Sequence, residues 1–314
     1  MTKIALIGAG PMAVAYADVL NDLGVETRVI GRGEKSAAAF TEKTGLEVRI
    51  GGLEDYLNSD EALPDYAIVS TPVDALAPNA KAIITAGIKN ILVEKPAGLT
   101  PEETKELSAF AATHQANVYV AYNRRFYSSV MAAKKLIHAD GGATSLRMEF
   151  SEFAFRIKDV PTAAHIKSQW LYANSTHVLD MGFFLAGYPK AISGMQAGGS
   201  DWHPAGSQFV GHGQLENGGL FSYHADWDAA PRWMVEIMTP KRTLMFNPLE
   251  KLNERSLEGF AITPVELDDD LDTRFKPGLH AQTGAFLKGD VADLATIESH
   301  AHHMEEIYKV IRGA

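Results

Sequence analysis

Lys3-Ile4-Ala5-Leu6-Ile7-Gly8-Ala9-Gly10-Pro11-Met12-Ala13 decides the fold of this chain. A short apolar run enters a glycine turn, and a periodic segment over residues 11–23 leaves it, stopped by Gly24. A strand, a tight turn and a helix start is the context in which a G-x-G-x-x-A pattern carries meaning. Gly8 allows the turn, Gly10 leaves room for a pyrophosphate beside the backbone, and Ala13 lets the helix pack closely on the strand. Free N–H groups and the dipole at the helix start favour phosphate, so Gly8, Gly10, Pro11 and Met12 are expected to hold a dinucleotide. The alternative here is a tight strand-helix turn with no ligand.

Outward from that turn, strand and helix patterns alternate. Strands are expected at 27–30, 66–70, 91–93 and 118–121, and a second helix at 35–43 ending near Gly45. These apolar runs lack in/out alternation, which fits a parallel sheet covered on both faces. Thr100-Pro101-Glu102-Glu103 reads as N-cap, first helical position and capping box. The expected fold is α/β: a doubly wound Rossmann domain over residues 1–121 with right-handed crossovers. After Tyr122 the pattern changes. A helix at 126–138 ends at Asp140-Gly141-Gly142, and strands follow one another at 145–155, 209–215, 220–227, 233–239 and 242–246. Asn217-Gly218-Gly219 is a hairpin signal. Residues 122–314 are therefore expected to form an α/β domain with a largely antiparallel open sheet, closed by a helix at 296–312.

The chain has 314 residues, a net charge of −10 and no cysteine. Its length suggests two domains. Without cysteine there is no disulfide frame, thiolate nucleophile or zinc-thiolate site. The acidic balance argues against nucleic acid or an anionic membrane as partner, and no apolar stretch is long enough to span a bilayer. A soluble cytoplasmic protein without a signal peptide is the expectation. His300, His302 and His303 lack carboxylates or cysteines at ligand spacing and are expected at the surface, with no metal.

The end of the second strand bears on the cofactor. NAD-selective folds place Asp or Glu there, on the ribose 2′-hydroxyl. Here the position is Gly31, followed by Arg32, Gly33, Glu34, Lys35 and Ser36. Arg32 can pair with a 2′-phosphate or stack on adenine, and Lys35 and Ser36 can donate to it. NADP is favoured over NAD, which stays an alternative, as do solvated roles for Arg32 and Lys35. Thr71-Pro72 closes the next strand, turning the chain outward, with Thr71 in reach of ribose or pyrophosphate; an ordinary strand exit is the other reading. Glu94-Lys95-Pro96 follows the buried run Ile91-Leu92-Val93 and sets a cation at the sheet edge where such folds bind ligands.

Gly8 to Ala13, Thr71-Pro72, Glu94-Lys95-Pro96 with its capped helix, and more thinly Tyr122 to Tyr127 and His177-Val178-Leu179-Asp180, together resemble the Gfo/Idh/MocA oxidoreductases, the glucose-fructose oxidoreductase and inositol dehydrogenase family. The resemblance implies a Rossmann domain followed by a domain whose open sheet often mediates oligomerisation, so a homodimer or homotetramer. It implies a cis Lys95-Pro96 bond, and Glu94 and Lys95 at the cofactor. Lys95 would pass the proton that must leave or join a carbinol oxygen when hydride moves. His177 matches the family's histidine, but Ala173 stands where an Asp often precedes it by four residues. That departure shifts the burden to Lys95, with His177 orienting substrate or sharing the proton. His177 and Asp180 are expected to share a helix face and interact. Asn123, Arg124, Tyr127, Trp170 and Asn174 complete the expected substrate set, with Arg125 at the surface. The function expected is hydride transfer between nicotinamide and a carbinol carbon of a sugar, sugar-nucleotide or polyol. The alternative is a catalytically silent NADP-binding regulator of the same fold. A glycosidase using tightly held NAD is a third reading.

Overall fold

The computed structural model describes residues 2–313. They divide into two compact units. One runs up to Asn123 and includes Leu271–His302; the other holds Arg124–Asp270 and the residues from His303 on.

In the first unit, strands β1 (Lys3–Ile7), β2 (Glu26–Ile30), β3 (Val48–Arg49), β4 (Tyr66–Val69), β5 (Asn90–Glu94) and β6 (Asn117–Ala121) pair in parallel, in the order β6-β5-β4-β1-β2-β3. Ala67, Ile68 and Val69 of β4, and Ile91, Leu92 and Val93 of β5, are all buried, as runs without alternation require. Helices Pro11–Asp22, Glu34–Thr44, Leu76–Ala86 and Pro101–Thr113 make the crossovers. Thr100 caps the last of these, its hydroxyl accepting from Glu103 N–H at 3.3 Å, while the Glu103 carboxylate accepts from Leu99 N–H at 2.8 Å.

In the second unit, β7 (Ser145–Ser151), β8 (Pro189–Ala197), β9 (Gln208–Leu215), β10 (Leu220–Asp226), β11 (Arg232–Met238), β12 (Arg242–Phe246), β13 (Asn253–Ser256) and β14 (Thr263–Pro264) form one sheet, ordered β14-β13-β12-β11-β7-β10-β9-β8. Every pairing is antiparallel except β7 with β10. β9 and β10 alternate buried and exposed residues, the pattern of a sheet covered on one face. Helix Thr176–Ala186 covers that face against β7 and β11. A Cβ at Gly182 would collide with the Met148 sulfur, so glycine is what lets this helix lie so close.

Several expectations are corrected. The strand expected over 145–155 stops at Ser151, because Glu152 turns inward and Ala154–Ile157 is helical. β8, β13 and β14 extend the sheet beyond the strands read from sequence. A single boundary at 121/122 does not anticipate the return of Leu271–His302 to the first unit. There β15 (Ala295–Thr296) pairs antiparallel with β6, and helix Leu279–Lys288 packs on Pro11–Asp22. Phe286 meets Tyr66 at 5.5 Å and Tyr119 at 6.1 Å, edge to face, covering apolar surface that the sheet would otherwise expose. Finally, His300 and His303 are buried, not at the surface. His300 Nε2 lies 2.9 Å from the Pro96 carbonyl, and the His303 ring stacks 3.9 Å from Tyr188.

Candidate active site

In the first unit the strand register sets one row of loops. Ile7 pairs with Ile30 and with Val69, and Val69 with Val93, while Val93 pairs with Val120. Parallel strands in that register end level, so Gly8, Gly31, Ser70 and Glu94 follow side by side at the carboxyl edge of the sheet. The structure thus brings together the four segments read from sequence: Gly8 to Met12, Arg32 to Ser36, Thr71-Pro72 and Glu94-Lys95.

Several features of this edge bear on its fit to a dinucleotide. Gly8 has φ +121°, and a Cβ there would sit 2.6 Å from the Ser70 carbonyl oxygen, so only glycine allows this turn. At Gly10 a Cβ would meet nothing within 4 Å; this glycine keeps space open. Gly10 caps the helix without a side-chain hydrogen bond, and Val14 N–H bonds back to Gly10 O at 3.1 Å. The N–H groups of Met12 and Ala13 are then left for a ligand. A groove of about 540 Å³ runs from Gly10, Pro11 and Val14 to Lys35, Ser36 and Lys43. A Cβ at position 31 would lie 2.7 Å from Val48 Cγ1, so a carboxylate there would require Val48 to shift. Arg32 is exposed, its Cγ 3.8 Å from where a Gly52 Cβ would be, and it makes no hydrogen bond or ion pair among the described residues. The Ser36 hydroxyl donates to Gly33 O at 2.9 Å, which leaves its lone pairs available. The Thr71 hydroxyl accepts from the Asn79 amide at 3.1 Å. The donor set fits a dinucleotide.

Glu94 closes β5 and accepts from the buried Tyr16 hydroxyl at 2.9 Å. Burial pushes the Glu94 carboxyl above the ordinary carboxylate range, against the opposing pull of the Lys95 charge, the Tyr16 hydrogen bond and the Lys276 charge. Burial and the neighbouring Glu94 charge likewise push the Tyr16 phenol well above its ordinary value. Lys95-Pro96 is cis, and its Pro96 carbonyl meets the ring of His300. Asn123 is buried with its amide nitrogen donating to Pro277 O at 2.9 Å. With the Gln282 amide oriented to satisfy both groups, its oxygen accepts from the N–H of Tyr122 (3.2 Å) and Asn123 (3.1 Å). Tyr16, His300 and Gln282 thus brace the Lys95 and Asn123 segments, and sequence spacing gave no sign of them.

In the second unit Arg125 is not at the surface as expected. Arg125 is buried, its Nε and Nη2 donating to the two Asp180 oxygens at 2.8 and 2.6 Å, and Nη2 to the Tyr188 hydroxyl at 2.8 Å. Burial alone disfavours that charge, but Asp180 outweighs it and holds the guanidinium above its ordinary pKa. Asp180 is therefore bound to Arg125 and not to His177 as expected: the helix carries Asp180 inward, where only a cation makes its burial tolerable. Arg124 is half-buried, its guanidinium 4.9 Å from the Trp233 ring and 5.8 Å from that of Tyr127. Tyr127 belongs to the core of this unit. Trp170 packs against the same core with its ring edge-on to Trp202 at 6.3 Å. His177 is buried in the helix that begins at Thr176, and Asn174 stands partly exposed in the π-helical turn Leu171–Ser175 before it. Glu152, which sequence reasoning missed, is buried and accepts from Asn174 and Ser175. A carboxylate just past a strand carries no spacing signal by itself.

Residues 2–122 match the profile of an oxidoreductase family with an NAD-binding Rossmann fold, GFO_IDH_MocA. Among curated relatives, the scyllo-inositol 2-dehydrogenase (NADP(+)) IolW of Bacillus subtilis is 25% identical over 205 residues, covering 61% of this chain and 53% of that protein. The trans-1,2-dihydrobenzene-1,2-diol dehydrogenase of Mus musculus is 25% identical over 195 residues, covering 61% of this chain and 56% of its own. The chain thus spans about half the length of the curated relatives it matches. The UDP-N-acetylglucosamine 3-dehydrogenase GnnA of Acidithiobacillus ferrooxidans shares the fold, with TM-score 0.76 and 16% identity over 99% of this chain and 96% of that one. A levoglucosan dehydrogenase in complex with NADH and L-sorbose shares it too, at TM-score 0.78 and 18% identity over 99% and 97%.

Proposed function

We propose, from the match of residues 2–122 to the Gfo/Idh/MocA oxidoreductase profile, that the chain is an NAD(P)-dependent dehydrogenase. Its substrate is a sugar, sugar-nucleotide or polyol, oxidised or reduced at a carbinol carbon. The observation that carries the reading is Lys95, set on the same level sheet edge as the open turn at Gly10. The dinucleotide supplies the hydride acceptor or donor. Lys95 takes the proton from the carbinol oxygen as hydride leaves, or returns it to the forming alkoxide, and its charge stabilises that oxygen. His177 orients the substrate, and Arg124, Asn174 and Trp170 supply further contacts. NADP is the preferred cofactor. The bare Gly31, the unpartnered Arg32, and Lys35 and Ser36 along the groove support this. The NADP(+) in the name of one relative agrees, while the NADH bound to a structural neighbour keeps NAD in view. A homodimer or homotetramer is expected through the outer face of the second sheet, which exposes Met195, Val210 and Leu220.

The test is an absorbance assay with both cofactors against inositols, levoglucosan and UDP-N-acetylglucosamine. Lys95→Ala should lower kcat by about 100-fold or more in a protein that still binds cofactor. Ala173, in place of the frequent Asp, favours a second reading, a silent NADP-binding regulator. Cofactor binding without turnover of any substrate would select that reading.

A further inference from the structure

We propose that Glu152 is a positioning residue that turns the Asn174 carboxamide so that its oxygen, and not its nitrogen, meets the ligand. Asn174 thereby becomes a receptor for a ligand hydroxyl. The identity of that ligand rests on the dehydrogenase reading above.

Glu152 leaves the end of β7 and is 2% exposed. Its Oε1 and Oε2 each lie 3.1 Å from Asn174 Nδ2, and Oε1 also accepts from the Ser175 hydroxyl at 2.7 Å. A carboxylate only accepts, and a carboxamide has one donating end and one accepting end. Facing Glu152, the Asn174 amide has a single favourable orientation, because the reverse would set three acceptor oxygens against one another in a buried place. Nδ2 is therefore committed, and Oδ1 points away from the carboxylate. Nothing among the described residues donates to that oxygen. Leu171, Tyr172, Ala173 and Ser175 of the turn are buried, whereas Asn174 reaches the surface. The turn is π-helical, a wide i→i+5 turn of the sort often found at functional sites. His177 stands three residues on.

The recognition chemistry follows. An acceptor presented in this way pairs with a donor, such as a sugar or polyol hydroxyl or an acetamido N–H, and repels a carboxylate or phosphate. The structure also answers what becomes of the carboxylate absent at Ala173. Glu152 brings one to the same turn from the sheet, but the donors around it hold it as an orienting group and not as a base.

Glu152→Gln tests this. A Gln offers both a donor and an acceptor, so it can hold Asn174 in either orientation while keeping the size of the side chain. For whichever of scyllo-inositol, levoglucosan and UDP-N-acetylglucosamine the wild type turns over, KM should rise about tenfold, the loss of one hydrogen bond, with kcat within about twofold of wild type. Asn174→Ala should give the same rise in KM, and the double variant no further rise. An unchanged KM in Glu152→Gln, or additive effects in the double variant, would overturn the proposal. A second readout needs no substrate. The Asn174 side-chain amide protons, identified by their loss in Asn174→Ala, should exchange with solvent about tenfold faster in Glu152→Gln. Absence of turnover with every probe would remove the dehydrogenase reading alone, and exchange rates equal to wild type would then still refute the role of Glu152.

Discussion

Asp180→Asn is expected to destabilise the second unit severely, for a reason that can be worked from the pair itself. The side chains of Arg125 and Asp180 are 6% and 2% exposed, and two charge-assisted hydrogen bonds join them. The amide that replaces the carboxylate accepts at one atom only and turns an N–H toward the guanidinium. Tyr188 still accepts one bond, but burial holds its phenol above the ordinary pKa, so it brings no negative charge. The buried guanidinium thereby loses its carboxylate partner, at a cost of about 3–5 kcal/mol. With a urea slope of about 2 kcal/mol/M, the midpoint should fall by about 1.5–2.5 M. The assay is selective: the four tryptophans, Trp170, Trp202, Trp227 and Trp233, all lie in the second unit, so selectively excited tryptophan fluorescence reports on that unit. Arg125→Met with Asp180→Leu removes both charges and should recover most of the loss. A midpoint shift below about 0.5 M in Asp180→Asn, or a double variant no more stable than the single one, would refute the reasoning.

The glycine turn offers a clean separation. Gly10→Ala should keep the wild-type melting temperature, because its Cβ meets nothing in the protein, yet lose cofactor affinity by calorimetric titration. Gly8→Ala should melt several degrees lower, since it strains a φ of +121° and crowds Ser70. Arg32→Ala should weaken NADP by about tenfold or more and leave NAD nearly unchanged, measured as the ratio of the two dissociation constants. Asp140 predicts an acid sensitivity. Burial raises its pKa, but hydrogen bonds from Arg242 and Thr239 and the nearby Arg242 and Lys241 charges outweigh this and hold it below its ordinary 3.8. The unfolded state therefore binds the proton first, so this stabilisation is complete above that value and is lost as pH falls through the lower folded one. Fluorescence-monitored urea midpoints should fall below about pH 4, and Asp140→Asn should flatten that slope.

The sequence by itself determined the Rossmann domain and its nucleotide end. Its signals are local: Gly8 and Gly10 after β1, apolar β4 and β5 without alternation, and Thr100 with Glu103 at a helix start. Each is a backbone requirement satisfied within a few residues, and so is written in neighbouring letters. The same holds for the alternation of β9 and β10, but not for β8 or β14, whose edge positions impose a weaker pattern. What only the tertiary structure decided are the partners. Tyr16 finds Glu94 from 78 positions away, Arg125 finds Asp180 from 55, and Asn174 finds Glu152 from 22. A buried charge or amide must be satisfied, and sequence says that much. Which group satisfies it depends on how helices and sheet pack, and no periodicity encodes that. Reading His177 with Asp180 from their spacing failed on this account, because a helix face says which residues are neighbours and not which way the core lies. Leu271–His302 rejoins the first unit for the same reason, drawn by apolar surface on β6 and the helix Pro11–Asp22 that only the assembled sheet creates.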